Sequence, residues 1–478
     1  MSATIADQIR LTPSGMAARS AGTVPVGEAP AGAPRARDAY ATPDALPVKG
    51  ARVCFAGFPR EEHDRVRGLL EAHGYLPTAF AAGADAMLVP VVTAAIAEEA
   101  AKTGRSVILC EHLEVVTTPA ARRAAIEMDA DTVRILDVTL PRRPEGATQH
   151  DSGERFAHLC LDGTFLRTAR AVAVAADAAL PCALEGATAV SKTTVVLWVA
   201  HLCRQAAIRM NMSGQTDTGE LIGRFVPDAG GGSTASWRFQ EGVVPDAMRH
   251  GRWLLLDELN LAEPQVLERL NPVLEQPATL VLSENDGERF GPGGDVPVAD
   301  TFRVFATMNP AEYSGRSVLS PACRDRFSFW NMLEPPGEVE YRALLDRLVH
   351  GVQPEFLHAG VAWKAADSVP VYPRLAACGR VNGRLDELLD AVAGFHASIA
   401  ASAAADGAEL GRARRERYVF TRRTLLSMIA LVDRLVARGS SFETALGPAI
   451  DAVYLQRVQP GPDRQAIRTA LRTVGIVA

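Results

Sequence analysis

One stretch constrains this chain more than any other: residues 182–194, CALEGATAVSKTT. The apolar run from Val172 to Leu184, interrupted by a short turn at Asp177 and Pro181, predicts a helix and then a buried strand. Gly186 to Thr193 follows in the spacing G-x-x-x-x-S-K-T, a phosphate-binding loop with one letter changed. In such a loop backbone N–H groups point inward at a phosphate, the lysine meets the outer phosphate oxygens, and the next hydroxyl holds Mg²⁺. Lys192 and Thr193 fit those positions, with Gly186, Ala187, Thr188, Ala189, Val190, Ser191 and Thr194 as the rest of the cradle. Val195 to Arg204 supplies the helix whose N-terminus faces the phosphates. The changed letter is Ser191, where the pattern has Gly; if the position needs φ > 0, Ser costs roughly 1–2 kcal/mol there. Taken alone, the stretch also fits an ordinary strand-turn-helix with a solvated lysine.

Residues downstream change the balance. GRWLLLDELNLA (251–262) predicts a buried strand, Trp253 to Leu256, that delivers Asp257 and Glu258 at its carboxyl end, 65 residues after Lys192. A nucleotide site at the edge of a parallel sheet requires acids in that place, Asp257 to hold Mg²⁺ through water and Glu258 to orient or deprotonate an attacking water. TFRVFATMNP (301–310) is a second buried strand, and it ends in Asn309, 52 residues after Asp257. An amide there can meet both a γ-phosphate and the lytic water. SPACRDRFSFW (320–330) then places Arg324 and Arg326 just past a short helix, where one of them can reach a neighbouring subunit's phosphate, with Arg326 beside Phe327 the preferred one.

At 478 residues the chain has room for about three domains. A hydrophobic content of 47% with 22% charged residues is that of a globular protein, and a net charge of −6 gives no general reason to expect nucleic acid. Seven scattered cysteines (54, 110, 160, 182, 203, 323, 378) read as buried free thiols of a reducing cytoplasm. No apolar run reaches about 18 residues and no signal peptide opens the chain, so no membrane association is expected.

Residues 1–46, rich in Ala, Pro, Gly, Ser and Thr, predict a disordered tail. From 47 to 117 strands and helices alternate: ARVCFAGF, EEHDRVRGLLEAHGY, AMLVPVV, TAAIAEEAAKTG and SVILC. This resembles a BRCT domain in the Gly after the first strand, the Gly74-Tyr75 turn and the ending TGRSVILCEHL. The phosphopeptide pocket of BRCT domains wants Ser or Thr just before the strand-end Gly, where this chain has Ala56, so docking to a protein or a neighbouring subunit is expected instead. Residues 118–150 read as a linker broken at Pro141, Arg142, Arg143 and Pro144.

The segments LEGATAVSKTT, RMNMSGQTDTGELIGRF (209–225), FQEGVVPDAMRHGRWLLLDELNLAEPQVLERLNPVLEQ (239–276) and FRVFATMNPAEYSGRSVLSPACRDRF (302–327) resemble an AAA+ ATPase of the MoxR and midasin/dynein-related group. The resemblance implies an α/β parallel-sheet module over 151–335, followed by a helical lid over 336–478. It implies a hairpin between Thr279 and Asp300, turning at Asn285-Asp286-Gly287. It also implies a second sensor arginine, Arg423, in YVFTRRTLL, and ATP with Mg²⁺ as cofactors. The neighbouring basic residues Arg412, Arg414, Arg415, Arg417 and Arg422, interleaved with Glu409 and Glu416, read as a solvated loop.

The leading expectation is a ring-forming ATPase, a hexamer, that remodels a partner protein, with a von Willebrand-A-type partner implied by the resemblance. Two other readings stay open: an ATP-bound scaffold that hydrolyses slowly because of Ser191, and a nucleic-acid-directed NTPase of the McrB type, against which the acidic net charge argues.

Overall fold

The computed structural model describes residues 40–41, 50–55, 58, 62–78, 84–89, 106–109, 122–144, 153–227, 237–310, 318–358, 361–404, 410–411 and 418–475. The chain divides into two compact units, residues 1–124 with 355–364, and residues 125–354 with 365–478.

The larger unit is organised by five strands: β1 (Cys182–Gly186), β2 (Ala207–Asn211), β3 (Trp253–Asp257), β4 (Arg303–Met308) and β5 (Phe329–Leu333). They form one parallel sheet in the order β2-β3-β4-β1-β5. β3 and β4 lie in the middle, and their runs Trp253–Asp257 and Val304–Met308 are buried throughout. Side chains apolar on both faces belong in a strand with helices above and below it. Helix α1 (Lys192–Leu202) leaves the end of β1, and its apolar character nearly all round is explained by burial of Val195, Val196, Trp198 and Val199. β1 stands between β4 and β5 instead of beside β2, so the strand order reverses there and opens a crevice at the carboxyl ends. Pairing of Leu184 with Thr307 and of Leu256 with Ala306 brings the ends of β1, β3 and β4 level.

Two hairpins leave this sheet. Gly223–Pro227 pairs antiparallel with Trp237–Glu241, and Gly223 is required at the first of these strands: its φ is +138° and a Cβ would lie 2.4 Å from the Phe239 ring. Leu280–Leu282 pairs with Glu288–Phe290 in the hairpin expected before β4. Asp286 and Gly287, at φ 51° and 74°, make its turn.

The residues read as a linker instead carry, over 126–141, a three-stranded antiparallel meander: Ile126–Met128, Thr132–Ile135 and Val138–Pro141. Val133, Ile135 and Leu140 are buried, and Asp137 accepts from Arg170 at 2.7 Å. The basic pair is likewise structural. Arg142 donates from Nε to the Leu202 carbonyl at 2.9 Å, and Arg143 donates to Thr301 Oγ1 at 2.9 Å.

Helices Glu338–Val349, Pro373–Asn382, Leu385–Ala404, Arg422–Val436, Phe442–Ile450 and Pro462–Thr473 pack a second core around Leu344, Leu389, Phe395, Met428 and Tyr454. Within it His396 is fully buried, its Nδ1 2.6 Å from the Tyr454 hydroxyl and its ring edge-on to Tyr341 at 4.3 Å. Burial pushes the His396 imidazole down to about 4. Arg422, read from sequence as solvated, is buried, and it pairs with Asp162 at 2.5 Å. Asp162 also caps the helix Gly163–Asp177 by accepting from the Phe165 N–H at 2.8 Å. Burial raises the Asp162 carboxyl, and the Arg422 charge opposes that rise.

In the smaller unit Arg52–Phe55, Leu76–Thr78, Ala86–Val89 and Ser106–Leu109 form a parallel sheet in the order second, first, third, fourth. Tyr40–Ala41, inside the stretch read as a tail, adds a fifth parallel strand beside Ser106–Leu109. The helix His63–Ala72 ends where Gly74 turns the chain at φ +78°. A separate three-stranded sheet joins Arg122–Ala124 to the hairpin Glu355–His358 and Val361–Lys364, so the region read as a continuous lid contains two strands of this unit. Ala56, the helix expected around 93–104, Cys110 and the basic cluster at 412–417 with Glu409 lie outside the described residues. The cysteines at 54, 160, 182, 203, 323 and 378 are free thiols, all buried but Cys378. No helix among the described residues is long and apolar enough to cross a membrane.

Candidate functional site

The loop between β1 and α1 is held tightly at its entry. A Cβ on Gly186 would lie 2.8 Å from the Leu333 carbonyl oxygen of β5, so only glycine fits where the two strands run together. Ala187, Thr188, Ala189 and Val190 continue the turn, with Val190 buried and Thr194 in the first turn of α1. Ser191 adopts φ 69° and ψ 17°, the left-handed conformation its letter change put in question, and its side chain makes no capping bond to the helix. Ala189, at φ 64°, is left-handed as well. Two non-glycine residues in that region within three positions give the loop a conformational cost of roughly 1–2 kcal/mol each.

Lys192 folds back into this loop. Its ammonium donates to the Gly186 and Ala187 carbonyls at 2.7 and 2.8 Å and to Asn309 Oδ1 at 2.8 Å. Asn309, buried just past the end of β4, donates from Nδ2 to both carboxylate oxygens of Glu258 at 2.8 and 3.0 Å. Glu258 itself sits at φ 57° and ψ 44°, which turns its side chain off the end of β3 toward that amide. Asn260 donates to the Asn309 carbonyl at 2.8 Å and fixes the backbone from behind.

Asp257 carries the second half of the site. Its Oδ1 accepts from Thr193 Oγ1 at 2.7 Å and from Thr307 Oγ1, and its Oδ2 accepts from Arg209 Nε at 2.8 Å. A threonine hydroxyl beside a buried carboxylate is an all-oxygen set of the kind Mg²⁺ takes, and Lys192 stands at the N-terminus of an eleven-residue helix where phosphate is favoured. The residues therefore fit a magnesium nucleotide: Thr193 and Asp257 for the cation, the loop amides and Lys192 for phosphates. Cys182, on β1 below them, has its thiol pushed up to about 12 by burial and serves packing.

The structure thus gathers Gly186 to Thr194, Asp257, Glu258 and Asn309 at one crevice. The expected arginines stand elsewhere. Arg324 lies in the short helix Pro321–Asp325, its guanidinium 4.4 Å from the Trp330 ring centre, and Trp330 donates to Glu185 at 2.9 Å. Arg326 caps that helix and pairs with Glu275 at 3.1 Å. Arg423 is exposed in the first turn of Arg422–Val436 and, among the described residues, makes none of the site's hydrogen bonds. The sequence reading missed Arg209, Thr307 and Asn260, all polar residues near strand ends or in a connection next to the expected ones.

Residues 181–327 match the family model for the AAA domain, dynein-related subfamily. Over these residues the chain is similar to the AAA+ modules of that subfamily. It is 38% identical over 148 residues to a midasin of Dictyostelium discoideum, covering 31% of this chain and 2% of that one. A midasin of Giardia intestinalis is 35% identical over 165 residues, 34% of this chain and 3% of its own length. The uncharacterised protein YojN of Bacillus subtilis is 27% identical over 165 residues, 34% of this chain and 51% of its own. The chain thus spans a few per cent of the midasins and about half of the Bacillus protein.

Proposed function

We propose that this protein is an ATPase that works as a ring, a hexamer of the MoxR type, and couples ATP hydrolysis to remodelling a partner protein. The observation that carries the reading is the chain of contacts from Lys192 through the Asn309 amide to Glu258, with Thr193 on Asp257 beside it. One residue that meets phosphate is thereby joined to the one that would activate water. Thr193 and Asp257 would hold Mg²⁺, which would supply charge neutralisation at the phosphates. Lys192 and the loop amides hold the phosphates, Asn309 positions the attacking water against the γ-phosphate, and Glu258 orients that water and takes its proton.

The missing part is a cation for the transition state. Arg324 and Arg326, held at Trp330 and Glu275, are the arginines this reading assigns to a neighbouring subunit's site, Arg326 being preferred. Arg423 serves as the second sensor from the helical lid. The smaller unit, whose 2-1-3-4 strand order is compatible with a BRCT-like domain, serves as a docking arm for a protein partner or a neighbouring subunit. A cytoplasmic setting and a von Willebrand-A-type partner accompany this reading.

One observation favours a second reading. The left-handed Ala189 and Ser191 fit a slow hydrolase that uses ATP to hold a structural ring. ATP turnover of the purified chain across a concentration series separates the two. A specific activity that rises steeply with concentration supports the shared site; tight nucleotide binding with no turnover at any concentration supports the scaffold.

A further inference from the structure

The Asp257 carboxylate is fully subscribed. Thr193 and Thr307 occupy Oδ1, and Arg209 meets Oδ2 twice, through Nε at 2.8 Å and through a terminal nitrogen at 2.5 Å. A carboxylate has about four lone-pair positions, so none is left for a water bound to Mg²⁺. One of these donors has to yield when the cation arrives.

Elimination identifies which. The Thr307 hydroxyl is buried, and withdrawing it would leave a donor unsatisfied in the interior. Thr193 can meet a cation with its oxygen while its hydrogen stays on Oδ1. Arg209 is different: it comes from β2, the edge strand of the sheet, and its side chain is 52% exposed where that of Asp257 is 5% exposed. Its guanidinium can return to water at little cost. It also carries the charge that a nearby dication would repel.

We propose that Arg209 is a resident counter-ion of Asp257 that magnesium nucleotide must displace, and that it sets the Mg²⁺ concentration at which the site loads. This rests on the magnesium-nucleotide reading above. The role differs in sign from simple support. If Arg209 only oriented Asp257, its loss would weaken Mg²⁺ binding; if it competes, its loss strengthens it.

The test is a Mg²⁺ titration of the full chain with fluorescent mant-ADP, read as nucleotide fluorescence, for wild type, Arg209→Met and Arg209→Lys. Removing one positive charge from a dication about 6–7 Å away in a nearly aqueous dielectric predicts half-saturation at ~tenfold lower Mg²⁺ for Arg209→Met. Arg209→Lys keeps the charge and should stay near wild type. Thermal melting of the same proteins serves as a second readout. Without Mg²⁺ the Met variant melts lower, because a buried carboxylate has lost its partner, and Mg²⁺ with ADP raises its Tm more than that of wild type. An unchanged or raised Mg²⁺ requirement in Arg209→Met overturns the proposal, as does a Lys variant that behaves like Met. A wild type that binds mant-ADP at no Mg²⁺ concentration overturns the nucleotide reading itself, and the proposal with it.

Discussion

Asn309 holds both oxygens of Glu258, at 2.8 and 3.0 Å, while the other end of the same amide accepts from Lys192. The acid that would activate water and the cation that would meet phosphate are thus two hydrogen bonds apart, although 66 positions separate them in the chain. In the proposed mechanism a phosphate that drew Lys192 off the amide oxygen would free Asn309 to turn, and with it the carboxylate of Glu258.

Glu258→Gln should leave nucleotide binding intact and lower ATP turnover by at least ~10²-fold. Glutamine keeps an oxygen for the Asn309 amide, so the site stays folded. Equilibrium binding of mant-ATP beside a phosphate-release assay checks both halves, and a loss of binding would contradict the role assigned to Glu258.

Ser191→Gly removes a left-handed L-residue without removing a cap, since the serine side chain makes none. After allowance for the more flexible unfolded chain, the net gain should be about 0.5–1 kcal/mol, seen as a rise of a few degrees in Tm. Turnover should rise as well. If neither quantity moves, the loop accommodates serine without penalty.

Arg326→Ala should lower turnover by ~10³-fold or more, with native mass and nucleotide affinity retained. Arg324→Ala should cost about 0.5–1 kcal/mol through its lost contact with Trp330 and leave turnover within a few-fold. The reverse pattern in the two phosphate-release assays would make Arg324 the arginine that reaches the neighbouring subunit's phosphate.

Arg422→Met strands Asp162 in the interior and should destabilise the chain by about 3–5 kcal/mol, read from urea midpoints. An effect below ~1 kcal/mol would return Arg422 to the solvated role that the sequence suggested.

His396 gives the fold a sensitivity to acid. Its imidazole is held down to about 4 when folded against 6.5 when free. Above 6.5 both states are neutral and there is no effect. Between 6.5 and 4 only the unfolded chain takes up the proton, so stability falls with pH, by about 3 kcal/mol across that window. Urea denaturation at a series of pH values should show this slope in wild type and a flatter one in His396→Leu.

Much of the site was legible because its residues stand at strand ends. The runs LLLDE and VFATMN announce where a buried strand stops and what it delivers, and the loop spacing names Lys192 and Thr193. Arg209 was not legible, since nothing in RMN distinguishes a surface arginine of an edge strand from one that bends along it to a carboxylate on the next strand. The meander over 126–141 was less legible, because its Pro141, Arg142, Arg143 and Pro144 are equally the residues of a linker. Its signal was the alternation in TVRI, closed by a turn at Leu136 with φ 54°. Arg422 and Arg423 are adjacent in sequence, and only the amphipathic register of their helix decides that the first is buried and the second exposed.

The hairpin Glu355–Lys364 joins Arg122–Ala124 in one sheet, across more than 230 positions of intervening chain. During synthesis the strand at 122–124 therefore leaves the ribosome long before its partner exists. At elongation rates of roughly 5–20 residues per second it waits for ten seconds or more with an unpaired edge. A polypeptide ending at residue 124 never receives that partner, so the smaller unit is completed by the far half of the chain and matures only after the five-stranded parallel sheet of the larger unit has been made.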